Sequence, residues 1–174
     1  EMAKMKSKDD ETGSEIEKIY NSVGDISSKM KEVIWSLNTE NDSLGNLLSY
    51  LQKQARQMME NYPGSFTITI PEQIPDIKIG GETRRHIYLT VKEALHNIIK
   101  HSGADKINLV IACAGKLIIK VSDNGKGMNT GDSSNSGNGL KNMRNRMEQI
   151  GGNFSVENNQ GLTLIFEIPL KPAL

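Results

Sequence analysis

The stretch whose reading decides the fold is Lys116–Gln149, KLIIKVSDNGKGMNTGDSSNSGNGLKNMRNRMEQ. It opens as a strand, with Leu117, Ile119 and Val121 alternating against more variable positions. It then meets Asp123 and two glycines, Gly125 and Gly127, within DNGKGM. A run of small polar residues, Asn129 to Ser136, follows with no apolar side chain to pin it. Gly137-Asn138-Gly139 then opens a helix carrying Lys141, Arg144 and Arg146. A carboxylate at a strand end can accept hydrogen bonds from an amino group such as that of adenine. Glycines let a ligand approach the backbone closely. A glycine-rich start to a helix offers unpaired N–H groups and the positive end of the helix dipole to phosphate. The order of these features suggests a nucleotide site.

Each piece alone has a plainer reading. DNGKG is also a good tight turn between strands. It is not an EF-hand loop, because Gly125 stands at the third ligand position, where Asp or Asn is needed. GNGLKN read as a dinucleotide fingerprint is a lone GxGxxN that follows a polar loop rather than a strand.

Working outward, 174 residues allow one ordinary domain, or a small domain with an appendage. Basic and acidic residues balance at 21 each, so no overall basic field argues for nucleic acid. The single cysteine, Cys113, sits in the apolar run INLVIACA, cannot form an internal disulfide and fits a reducing compartment. No apolar run approaches the roughly 18–20 residues that span a bilayer, and no signal peptide is visible. The expectation is a soluble piece, which does not exclude a membrane protein from which it was cut.

Towards the N-terminus, Met2 and Met5 lie on a short helical stripe expected to end in a polar turn by Gly13. From Ile16 the apolar positions Ile19, Val23, Ile26, Met30, Val33 and Leu37 recur at gaps of 3 and 4, a heptad seam. Coils this short need partners, which predicts one helix of a bundle or dimer; a plain intramolecular core helix is the alternative. Asn38 to Ser43 breaks the pattern and offers Asp42 or Ser43 as a helix cap. Leu44, Leu47, Leu48, Leu51, Ala55 and Met58 continue as a second amphipathic helix ending near Tyr62-Pro63-Gly64.

After Pro63 the pattern changes to a strand at Phe66–Ile70, a Pro- and Gly-containing loop to Gly81, and a helix from Glu82 to about Ser102. That helix has an apolar stripe of Ile87, Val91, Ala94, Leu95, Ile98 and Ile99. On its other face Glu93, Asn97 and His101 stand four apart with Lys100 beside them, so an acid, an amide, an imidazole and an ammonium share one patch. Strands are expected at Lys106–Ala112 and Lys116–Ser122. Past the central stretch, Gly151-Gly152 closes the last helix, and Asn153–Glu157 and Leu162–Ile168 form a hairpin.

Three motifs therefore stand in order: EALHNIIKHSGA from Glu93, DNGKGM from Asp123, and GNGLKNM with its basic helix, followed by GLTLIFEIPL. Over about Thr83 to Pro169 this resembles the ATP-binding domain of two-component sensor histidine kinases, within the GHKL ATPase superfamily. MKEVIWSLNTENDSLGNLLSYL resembles the second dimerisation helix and its exit in the subgroup related to nitrate- and lipid-sensing kinases. The resemblance implies an α+β fold, a two-layer α/β sandwich with a mixed sheet of about five strands and helices on one face, over residues 63–174. It implies a helical dimerisation region over residues 1–62, with the long helices of residues 14–61 projecting from the sandwich.

The same resemblance implies roles for individual residues. Asn97 would coordinate Mg2+, with Glu93 in the metal's outer shell or orienting a water, and these two form the catalytic pair. Lys100 and His101 would lie near the phosphates. Asp123 would bind the adenine amine, Gly125 and Gly127 would shape the loop beside the base, and Met128 completes that ATP-binding motif. Gly137, Gly139 and Leu140 would contact phosphates through the backbone, Thr163 would complete the adenine pocket, and Asn129–Ser136 would be the ATP lid. The implied cofactors are ATP and Mg2+. The implied partners are a second copy through helices 14–61 and a response regulator receiver domain. His96 stands where a small or amide residue is expected, and would either perturb the site or face solvent. The acceptor histidine is expected upstream, since EMAKMKS resembles the tail of a first dimerisation helix and His86, His96 and His101 all fall on the nucleotide-domain helix. Two alternatives stay open: a GHKL ATPase with Glu93 as general base and a lysine from a transducer domain, and an anti-sigma-like nucleotide-binding module. The heptad seam argues against the second.

Overall fold

The computed structural model describes residues 2–128 and 138–170. The chain divides into two compact units, Glu1–Asn38 and Thr39–Leu174. The first is a single helix, α1 (Met2–Leu37), which runs unbroken past Gly13, where the sequence predicts a turn. Its seam residues, Ile16 through Leu37, are 40–75% exposed. No described helix is long and apolar enough to cross a membrane.

The second unit begins with a short 3₁₀ turn (Thr39–Asn41) and α2 (Leu44–Met59). Ser43 is the N-cap: its hydroxyl accepts from the Asn46 N–H at 3.1 Å, satisfying one orphan donor of the first turn. Asp42, the other candidate cap, instead receives the Arg84 guanidinium at 2.6 Å. α2 buries Leu44, Leu47, Leu48, Leu51, Ala55 and Met59 and packs on the helix that follows β1. Two expectations are corrected here. Met59 is the buried methionine and Met58 is only half-buried. And α2, placed within a projecting helical region, is part of the sheet unit, because four leucines on one stripe need a core to cover them.

The sheet comprises β1 (Ser65–Thr69), β2 (Lys106–Cys113), β3 (Lys116–Asp123), β4 (Asn153–Asn158) and β5 (Leu162–Pro169), in the order β1-β2-β3-β5-β4. β1 and β2 are parallel, joined through α3 (Gly81–His101); the remaining pairs are antiparallel. The period-two pattern of β2 and β3 places Ile107, Leu109, Ile111, Leu117, Ile119 and Val121 on one face, all buried. Phe154, Leu164, Phe166 and Ile168 continue that face across β4 and β5. α3 packs on β3, and α4 (Asn138–Gln149) covers β4 and β5 with Met143 and Met147. The two-layer α/β sandwich with a mixed five-stranded sheet is thus the observed fold. Asp123, in phase with Val121, places a carboxylate at the end of the covered face, and it is 8% exposed.

Candidate functional site

α3 carries two faces with different tasks. Ile87, Val91, Ala94, Leu95 and Ile98 are buried, whereas Ile99, expected with them, is 38% exposed. The flank bearing Glu93 and Asn97 meets the first turn of α4. A Cβ built on Gly139 would stand 2.6 Å from Glu93 Oε1 and 3.1 Å from Asn97 Nδ2. The absence of a side chain at Gly139 is therefore what lets an acid and an amide sit against a helix N-terminus, where unpaired N–H groups and the dipole attract anions. Leu140 follows, half-buried. Lys100 and His101 continue the same flank and are exposed, and His96 faces solvent.

The Asp123 loop sits at the C-terminal end of α3. Asp123 Oδ1 accepts from the Gly125 N–H at 2.8 Å. The Lys126 N–H donates to the Ser102 carbonyl at 3.0 Å, so the loop lies against the residue that caps α3. Gly125 approaches that carbonyl too closely for any side chain. Asn124 fastens the loop to the start of β2: its Oδ1 accepts from the N–H groups of Asp105 and Lys106 at 3.1 and 2.9 Å, and its Nδ2 donates to Asp105 Oδ1 at 2.6 Å. Gly161, at φ 120°, backs onto the Asp123 carbonyl, with no room for a Cβ. Asn124 and Gly161 are site-building residues that sequence reasoning passed over. The signal available was an Asn and a Gly beside turns, which is common in any turn.

The structure brings Glu93, Asn97 and Gly139 together at mid-helix, and Asp123, Gly125 and Gly127 together at the helix end. From Asn97 to Ser102 is five residues, and from Glu93 nine, so the two clusters lie roughly 8–14 Å apart along the α3 axis. Thr163 does not join them. It pairs with Ser122 in the β3–β5 register, so strand alternation puts it on the open face, opposite to Asp123; Leu162 is the β5 residue on the Asp123 side. The expectation for Thr163 is corrected by one position, because period two reverses the face at each step. Gly137 and Asn129–Ser136 lie outside the described residues.

Further back on α3, His86 packs with its Nδ1 buried and unpaired among the described residues. Its Nε2 is 3.8 Å from Glu82 Oε1. Burial lowers its pKa, with Arg146 and Arg85 adding to the effect and Glu82 opposing it.

A one-faced sandwich with a carboxylate at a strand end, and an acid–amide pair facing a glycine-opened helix, is the layout of a GHKL-type nucleotide-binding domain. The chain belongs to the family described as Histidine kinase-, DNA gyrase B-, and HSP90-like ATPase, whose model matches residues 82–172. It is similar to the sensor histidine kinase LiaS of Bacillus subtilis, 27% identical over 173 residues, covering 97% of this chain and 46% of that protein. It is also similar to the sensor protein VraS of Staphylococcus aureus, 31% identical over 88 residues, or 50% of this chain and 25% of that protein. The chain thus spans less than half the length of these curated relatives. Among solved structures, the histidine kinase domain of the blue-light activated histidine kinase from Erythrobacter litoralis EL346 has a TM-score of 0.61. It is 24% identical and covers 71% of this chain and 61% of that one, a likeness of fold.

Proposed function

We propose that this chain is the ATP-binding catalytic part of a sensor histidine kinase, which transfers the ATP γ-phosphoryl to a histidine and thence to an aspartate of a response regulator. The observation that carries this reading is the arrangement along α3. Asp123, at one end of the helix, suits the adenine amine, and Glu93 and Asn97, at mid-helix beside the α4 N-terminus, suit the phosphates. Their spacing is comparable to the reach of an extended nucleotide from base to phosphate.

The donor set fits Mg2+. Among the described residues no three His, Cys, Asp or Glu side chains gather into a cage. One or two side-chain oxygens, with water and phosphate completing the shell, are what this cation commonly takes. Asn97 would hold it through its amide oxygen, with Glu93 in its outer shell. When bound, it would neutralise phosphate charge during transfer. Lys100 and His101, exposed on the same flank, would meet the phosphate chain from solvent. Asp123 would select adenine, since the O6 of guanine would oppose its carboxylate.

The transfer breaks the bond from the γ-phosphorus to the bridging oxygen, forms one to an imidazole nitrogen and releases ADP. His86, His96 and His101 all ride on α3 with Glu93 and Asn97. A side chain fixed to the helix that positions the phosphates cannot swing in line with them, so the acceptor would be supplied from a helix outside this set. The exposed α1 seam supports pairing with a second copy of the chain through that helix. The test is calorimetry with ADP, with and without Mg2+, followed by incubation with γ-labelled ATP. The expected result is Mg2+-enhanced binding and no acid-labile, base-stable label on the chain alone. Absence of ADP binding would overturn the nucleotide reading, and acid-labile label on the chain would overturn the assignment of the acceptor elsewhere.

A further inference from the structure

We propose that Asn158 is a positioning residue for the nucleotide site, its side-chain amide holding the far end of the Asp123–Met128 loop in the shape that presents Asp123 to the base. This inference rests on the nucleotide reading above. Asn158 is the last residue of β4 and is exposed, yet both ends of its amide are engaged. Oδ1 accepts from the Met128 N–H at 3.2 Å, and Nδ2 donates to the Met128 carbonyl at 2.7 Å. This reciprocal pair reproduces the two bonds that one residue exchanges with its opposite in an antiparallel ladder. A side chain thus stands in for a strand at a point where the loop has left the sheet.

Gly127 is shaped to the same contact. Its φ of 66° is one that L side chains rarely adopt, and a Cβ there would run into Asn158 Oδ1. Three residues after Asn158, on the same hairpin turn, Gly161 backs onto the Asp123 carbonyl. The β4–β5 hairpin therefore touches the loop at both ends, at Asp123 through a glycine and at Met128 through an amide. From the opposite side, Asn124 and the Lys126 N–H tie the loop to residues 102–106. The loop is suspended between two supports, and Asn158 is the contact from the hairpin that has directional chemistry.

A ligand that reads Asp123 binds only those molecules whose loop is in shape, so apparent affinity falls with the competent fraction. Losing both bonds of Asn158 at a solvent-exposed position should cut that fraction about tenfold. Asn158 lies on the base side of the site, so the loss should be blind to Mg2+. The experiment is calorimetry with ADP, with and without Mg2+, on the wild-type chain, N158A and N158Q. In N158A, Kd should rise about tenfold in both conditions, with stoichiometry and the Mg2+ enhancement unchanged. In N158Q, whose amide sits one methylene further out, part of the affinity should return. A wild-type chain that binds no ADP would remove the underlying nucleotide reading. With wild-type binding intact, an unchanged Kd in N158A, an equal loss in both variants, or a reduced Mg2+ enhancement would overturn the positioning role.

Discussion

Replacing Gly139 by alanine should stabilise the fold while damaging the site, two effects of opposite sign from one methyl group. Gly139 is the second residue of α4 and has no positive φ, so alanine can adopt its backbone without strain. Removing a glycine from a compatible helical position gains about 0.4–1 kcal/mol, chiefly by restricting the unfolded chain. For a chain of this size that corresponds to a melting temperature about 1–4 °C higher. The new Cβ, however, would stand 2.6 Å from Glu93 Oε1, which must retreat by about 0.8 Å to reach ordinary contact at 3.4 Å. A carboxylate on a flexible arm gives way readily, so little stability is lost. The displaced atom is the one proposed to organise the metal and phosphates, and Asn97 Nδ2, at 3.1 Å, is pressed as well. Misplacement on the scale of 1 Å can cost as much as about a hundredfold in function. Mg2+-dependent ADP affinity should therefore fall about tenfold to a hundredfold, with the Mg2+-independent part nearly intact. Thermal melting and calorimetry on the same sample test both signs. A lower melting temperature, or unchanged affinity with Mg2+ present, would refute the reasoning.

The two ends of the site should separate in the same assay. Asp123→Ala should weaken ADP by roughly 1.5–3 kcal/mol, about tenfold to a hundredfold, equally with and without Mg2+, whereas Asn97→Ala should erase only the enhancement by Mg2+. His86 introduces a pH dependence of known sign. Its folded pKa lies below 6.5 because of burial, so as pH falls below about 6.5 the unfolded chain takes the proton more readily and stability declines. Denaturant midpoints from pH 8 to pH 5 should show this decline, and His86→Gln should flatten it. Asp42→Asn removes the charge facing Arg84, whose side chain is fully buried while that of Asp42 is 33% exposed. Solvent access to Asp42 puts the loss at about 2 kcal/mol, or a melting temperature about 4–8 °C lower; a change under about 1 °C would show that the pair contributes little.

Much of this protein was legible in one dimension because its elements rest on local periods. The stripe of α3 apart from Ile99, the alternation of β2 and β3 and the glycines closing α4 are each encoded within a few neighbouring residues and formed where the pattern put them, while the cap of α2, open between Asp42 and Ser43 in the sequence, fell to Ser43. The ordered triple of Glu93–Asn97, Asp123–Gly127 and Gly139, here proposed as a nucleotide site, was likewise visible in the sequence, since a carboxylate, glycines and a helix start have the same chemistry wherever they occur.

Properties that depend on two distant segments meeting were decided only by the tertiary structure. A heptad seam and a leucine stripe look alike in sequence, yet α2 found a core and the α1 seam remained exposed, because only packing distinguishes a covered stripe from an uncovered one. Thr163 and Leu162 are equally placed in a motif but lie on opposite faces of β5, a choice settled by register with β3. Asn158 carries no signal of its own; its meaning comes from Met128, thirty residues earlier, brought within reach by the β3–β5–β4 order of the sheet. Local chemistry named the parts of the site, and the register of the sheet determined which of them face one another.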